Sequence, residues 1–162
     1  LSNLLMILAT QPAVAQQLAE AVDDERLLTR FVEELLRLEP PVRGLARMTT
    51  REVELGDTLL PASAHLLLLF ASVNDDESVF PCPREFDLNR SNIGRQMAFS
   101  AGIHRCVGLS LARMELKVAA REIVKRLENI QLAIAPQEIN YLPTVATHSI
   151  ERLPITFTRR RN

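Results

Sequence analysis

Two adjacent prolines, Pro40-Pro41, split this chain into two kinds of sequence. Proline has no backbone N–H to donate and pushes the residue before it out of helical geometry, so no helix continues through this point. Upstream, apolar residues recur with a helical period. Leu28, Phe31, Val32, Leu35 and Leu36 fall at i, i+3, i+4, i+7 and i+8, the stripe of a helix with one buried face. Before them, Leu4, Leu5, Ile7 and Leu8 read as the end of a buried helix. Pro12 suits the first position of another, with Val14, Leu18 and Val22 on one face. Asp23-Asp24-Glu25 marks a solvated break between helices.

Downstream of the prolines the period changes. Val53 and Leu55 alternate with charged neighbours, Gly56-Asp57 supplies a turn, and residues 58–60 return as the hairpin partner. Residues 65–70 form an apolar run that fits a strand or a buried helix equally. Residues 74–95 show no period and are punctuated by Pro81 and Pro83. Irregular stretches of that length are uncommon in compact domains and often carry function. Helical spacing returns with Leu109, Ala112, Leu116, Ala119, Ala120, Ile123 and Leu127 on one face, and residues 130–134 and 153–158 read as short strands. The expected fold is mainly α with a minor β component, in one unit over residues 1–162.

Composition removes several classes of function. The chain has 162 residues, about one domain's worth. Lys plus Arg is 19 and Asp plus Glu is 20, a net charge of −1, so no basic field exists to hold nucleic acid or an anionic membrane. The uncharged first nineteen residues are interrupted by Ser2, Asn3, Thr10, Gln11 and Pro12 and fall short of the roughly 18 apolar residues a membrane span needs. Ala13-Val14-Ala15 mimics a signal-peptidase site but lacks a basic leader region. A chain that starts at Leu1 reads as part of something longer. The two cysteines, Cys82 and Cys106, are too few for a disulfide scaffold. Reduced thiols in a cytoplasmic protein are expected, although a single disulfide fits the count.

The segment richest in chemistry is Phe99-Ser100-Ala101-Gly102-Ile103-His104-Arg105-Cys106-Val107-Gly108. It sets a cysteine where an amphipathic helix begins. Such a terminus has unsatisfied N–H groups and a positive dipole end, both of which favour a thiolate. Gly102 and Gly108 remove side chains on either side of the sulfur, which lets a large flat ligand approach the backbone. His104, two residues before the cysteine, is placed to meet an acidic substituent on that ligand. A Cys–His hydrolase using Cys106 with His104 or His148 is a weaker reading, because nothing orients the base.

This segment resembles the haem-binding loop of the cytochrome P450 family: Phe, a small residue, any, Gly, any, a basic residue, any, Cys, an apolar residue, Gly. Ser100 stands where the family more often has Gly. Glu34-Leu35-Leu36-Arg37 is similar to the family's Glu-x-x-Arg element, whose i, i+3 spacing puts both charges on one helix face. Residues 73–76 and 80–87 resemble the irregular segment that the pair ties down, and the three elements occur in the family's order. There are departures. Glu85 precedes Phe86 where Arg is common, Asp75 stands where Arg or His is common, and Ser63 replaces a turn glycine. Arg84 and Arg90 both stand as candidates to complete the network with Glu34 and Arg37.

The resemblance implies roles. Cys106 would be the axial thiolate on the iron of haem b, pushing electron density toward bound dioxygen. His104 and Arg47 would bind the propionates, Arg pairing well with carboxylates. Phe99 would screen the sulfur, with Gly102, Gly108 and Ala112 completing the cofactor surface. Val42, Leu45, Ala46, Thr147 and His148 would face a small organic substrate. Arg105 and Arg113 would meet a ferredoxin- or flavodoxin-type donor passing electrons from NAD(P)H. The implied activity is monooxygenation. The resemblance covers roughly the C-terminal two-fifths of the family's fold, with residues 1–9 similar to the end of its long central helix. The oxygen-handling groove lies upstream. The alternative is a haem-binding fragment without its own catalysis.

Overall fold

The computed structural model describes residues 1–160. Three helices open the chain: α1 (Ser2–Thr10), α2 (Pro12–Ala21) and α3 (Glu25–Leu38). Pro12 starts α2, where its missing N–H costs nothing. Asp24 caps α3, its Oδ1 accepting from the N–H groups of Arg26 at 2.8 Å and Leu27 at 3.0 Å. Pro40 lies just past the last turn of α3. A long helix, α5 (Leu109–Arg126), crosses behind it.

Leu4, Ile7 and Leu8 of α1, Val14 and Leu18 of α2, Leu28, Phe31 and Leu35 of α3 and Ala120 of α5 form the main core. Phe86 joins it from the irregular segment, its ring 4.8 Å from that of Phe31. A smaller cluster of Val32, Leu36 and Ala98 packs with Phe99 and Leu116. The α3 stripe therefore supports the cysteine loop from below. Burying side chains of this size contributes about 1.5–3 kcal/mol each.

The strands pair as three separate antiparallel ladders. β1 (Leu45–Met48) pairs with β4 (His65–Leu68), β2 (Val53–Leu55) with β3 (Thr58–Leu60), and β5 (Leu127–Leu132) with β6 (Ile155–Arg159). The ambiguous run at 65–70 resolves as β4 followed by the short α4 (Phe70–Asn74). The strand expected at 130–134 starts earlier, because α5 ends at Arg126 and Leu127 is already extended at φ −124°, ψ 146°. Leu127 is apolar, and its position satisfies the helical and the extended pattern alike. Gly44 is required where the chain passes β4: a Cβ there would stand 2.8 Å from the Leu68 carbonyl oxygen.

The irregular segment is held by charge. Glu34 is fully buried and accepts from Arg37 Nε at 2.9 Å and Nη2 at 2.8 Å, from Arg90 Nε at 2.9 Å, and from the Asp87 N–H at 3.1 Å. Arg37 donates onward to the Asn74 and Glu85 carbonyls at 2.9 and 3.2 Å. Arg90 does so to Pro81, Cys82 and Glu85 at 2.8, 3.2 and 3.1 Å. The third member of this network is therefore Arg90 and not Arg84. Arg84 sits on the surface, paired with Asp75.

Candidate functional site

The loop that carries Cys106 is shaped by its backbone. The Cys106 N–H donates to the Phe99 carbonyl at 2.9 Å, closing residues 99–106 into one loop. Ser100 at φ 59° and Gly102 at φ 63° both take the left-handed region. That costs a non-glycine residue roughly 1–2 kcal/mol, which accounts for glycine being usual at position 100. Gly102 then starts a single helical turn to His104. α5 begins three residues after Cys106, with Gly108 at its N-cap. A Cβ built on Gly108 would lie 3.9 Å from the Cys106 sulfur, an ordinary contact, so no protein neighbour demands glycine there. Both cysteines are free and exposed.

Cys106 opens into a cleft of about 640 Å³ between this loop, α3, α5 and the residues after Pro40. Phe99, His104, Arg105 and Ala112 line it with Cys106, while Leu36, Val42, Leu45, Phe70 and Leu116 make the remaining wall strongly apolar. The size falls in the range of small-molecule sites. Among the described residues no three His, Cys, Asp or Glu side chains converge on a metal position. No described helix is long and apolar enough to cross a membrane.

Other predicted residues fall outside the cleft wall. Arg47, half-buried on β1, donates from Nη1 to the Ala46 carbonyl at 2.8 Å, and Ala46 is exposed. Thr147 bridges to Val42 and lies 3.3 Å from Thr144, hydroxyl to hydroxyl. Arg113, expected as a free surface charge, is instead clamped by Glu33: Nε donates to Oε1 at 2.6 Å and Nη2 to Oε2 at 2.9 Å. Its guanidinium also lies 4.9 Å from the Phe99 ring centre. Glu33 gave no sequence signal, because its partner is eighty residues away.

His148 belongs to a smaller cleft of about 200 Å³ that also includes Glu39. Its ring stacks on Tyr141 at 3.9 Å, and its Nδ1 lies 2.8 Å from Arg43 Nη2 and 4.0 Å from Glu39 Oε2. Burial first, then the Arg43 cation, holds the His148 pKa below the ordinary imidazole value. The more distant Glu39 does not reverse this, since burial raises its own pKa. The unfolded chain therefore takes up the His148 proton first. His148 makes stability rise with pH across the window from its folded pKa up to the ordinary imidazole value, and acidification through that window is unfavourable. A proton-detected NMR titration should give a His148 midpoint below that of a model imidazole. In Arg43→Ala the midpoint should move upward.

Comparison with known proteins covers nearly the whole chain. Residues 1–142 match the family description Cytochrome P450. Cytochrome P450 144 of Mycobacterium tuberculosis is 38% identical over 155 residues, covering 96% of this chain and 34% of that protein. Cytochrome P450 monooxygenase PikC of Streptomyces venezuelae is 36% identical over 146 residues, covering 90% and 35%. The structure of cytochrome P450 CYP109Q5 from Chondromyces apiculatus superposes with a TM-score of 0.85 at 39% identity, covering 98% of this chain and 40% of that one. The chain thus spans about a third of the length of the curated relatives it matches. On sequence and fold together, it belongs to the cytochrome P450 family.

Proposed function

We propose that this chain carries the cofactor-ligating part of a haem-thiolate monooxygenase acting on a small organic substrate. The observation that carries this reading is an exposed cysteine at the start of α5, opening into an apolar cleft with His104 beside it. The donor set fits haem. A single thiolate suits an iron whose other ligands come from a porphyrin. An apolar wall suits the macrocycle, and His104 in that wall suits one of its carboxylates. Among the described residues the Val107 and Gly108 N–H groups have no backbone acceptor, so they are free to donate to a sulfur ligand.

When bound, haem supplies oxygen activation and the insertion of one oxygen atom into the substrate. In this reading Cys106 holds the iron and Phe99 keeps water from the sulfur. Val42 and Leu45 form an apolar wall against the substrate. Gly102, Gly108 and Ala112 keep their proposed roles toward the cofactor, and Arg47 toward its carboxylates. Ala46, Thr147 and His148 lie outside the wall of this cleft, and their contact with substrate rests on the family resemblance. Arg105, exposed at the rim, is the remaining cation for a ferredoxin- or flavodoxin-type donor that passes NAD(P)H electrons in the cytoplasm. The test is to add haem, reduce, expose to CO and record the Soret band. The long-wavelength band of a thiolate-ligated ferrous–CO complex is expected, and its absence would overturn the reading.

A second reading is favoured by one surface. Leu111, Met114 and Val118 form an exposed apolar stripe on α5, and the chain spans only part of its relatives. Haem binding without turnover by this chain alone is then the expected behaviour. Adding the remaining part of the fold should restore oxidation of a surrogate substrate.

A further inference from the structure

One ion pair bridges three elements at the cysteine loop and is not accounted for by the roles above. Glu33 on α3 receives both donors of Arg113 on α5, and also Gln96 Nε2 at 3.0 Å. Gln96 in turn accepts from the Ala98 N–H at 2.7 Å, just before the loop. The pair is largely withdrawn from water, with side-chain exposures of 13% for Glu33 and 25% for Arg113. The Arg113 guanidinium lies over the ring of Phe99, and the Phe99 carbonyl is the group that holds the Cys106 N–H. A fixed cation, its counter-charge and the cysteine backbone are thus joined through one aromatic residue.

Resting on the haem-thiolate reading, we propose that Glu33 and Arg113 are positioning residues that set the electrostatic field at the Cys106 ligand. Paired, they present nearly no net charge to the site and pin the Phe99 ring. Separated, each leaves one unbalanced charge beside the cysteine loop, partly withdrawn from water and so less screened than in bulk solvent. The reduced state of the site carries one more negative charge than the oxidised state. An unbalanced Arg113 therefore favours reduction, and an unbalanced Glu33 opposes it. A purely structural clamp behaves differently: either loss loosens the same loop and shifts the equilibrium in the same direction.

The experiment is a reductive titration of the haem-loaded protein, with dithionite supplying the one electron that converts ferric to ferrous. Glu33→Gln should raise the reduction equilibrium constant on the order of tenfold, 59 mV for a one-electron couple. Arg113→Gln should lower it by a similar factor. The double variant Glu33→Gln with Arg113→Gln should return to within about threefold of wild type, and Arg113→Lys, which keeps the charge, should stay near wild type. Shifts of the same sign in both single variants, or no shift while the thiolate-type CO band persists, overturn the proposal. Should Arg113→Gln not fold, Arg113→Lys against Glu33→Gln still decides it: matching potentials overturn the proposal and separated ones support it. A wild-type protein without the thiolate-type band overturns the haem reading itself, which the variants alone would not.

Discussion

Cys106→Ala should abolish the thiolate-type ferrous–CO band while leaving the folding of the unloaded chain almost untouched. The two halves of this result have different causes. The Cys106 side chain is exposed, so removing its sulfur leaves no cavity, and surface changes of this kind usually stay within about ±0.5 kcal/mol. The loop geometry depends on the backbone N–H of residue 106 and on the left-handed residues 100 and 102, and alanine preserves all three. Any loss of the band then reports ligation alone. Cys82→Ala is the matched control, since that thiol is also free and exposed but lies in the irregular segment away from the cleft. A band that survives in Cys106→Ala, or disappears in Cys82→Ala, would remove the basis for the functional reading.

Glu34→Gln should destabilise the chain far more than any nearby surface change. The carboxylate is fully buried between Arg37 and Arg90, each hydrogen-bonded elsewhere as well. Glutamine keeps the shape but leaves two buried guanidinium groups without a counter-charge. Breaking a buried pair in this way costs about 3–5 kcal/mol, a large share of a typical domain's 5–15 kcal/mol. The midpoint of urea unfolding should fall accordingly. Arg84→Ala, which removes only an exposed pair with Asp75, should change stability by no more than about 1 kcal/mol. Equal effects from the two variants would show that the buried network is not what holds the segment. The consequence reaches the site: Asn74 accepts from the Met97 N–H at 2.7 Å, so the network that fixes Asn74 also fixes the approach to the cysteine loop.

The helices and the cysteine loop were legible because their signals are local. The α3 stripe, the proline stop and the ten-residue loop pattern each lie within one stretch of chain. Two departures from the family pattern also proved informative: Ser63 and Ser100, standing where glycine is usual, both adopt positive φ, at 64° and 59°. What the sequence hid was long-range partner choice. Arg84 and Arg90 are six residues apart, and only the folded path of the irregular segment turns Arg90 inward. Glu33 looks like any exposed helical glutamate until α5 crosses it. The β5 boundary was hidden for another reason: no breaker separates Arg126 from Leu127, and the strand then kinks at Asn129, φ 53°, where its register shifts.

The division of the strands into three two-membered ladders has a consequence for handling the protein. Among the described residues no strand is flanked on both sides by other strands, so each has one edge whose amide donors and acceptors lack a ladder partner. Such edges invite pairing with another chain, and here short length, side-chain charge, as at Glu54, Arg47 and Arg159, and the packing of α1 against β5 discourage it. Self-association through these margins will therefore grow with concentration and with screening salt.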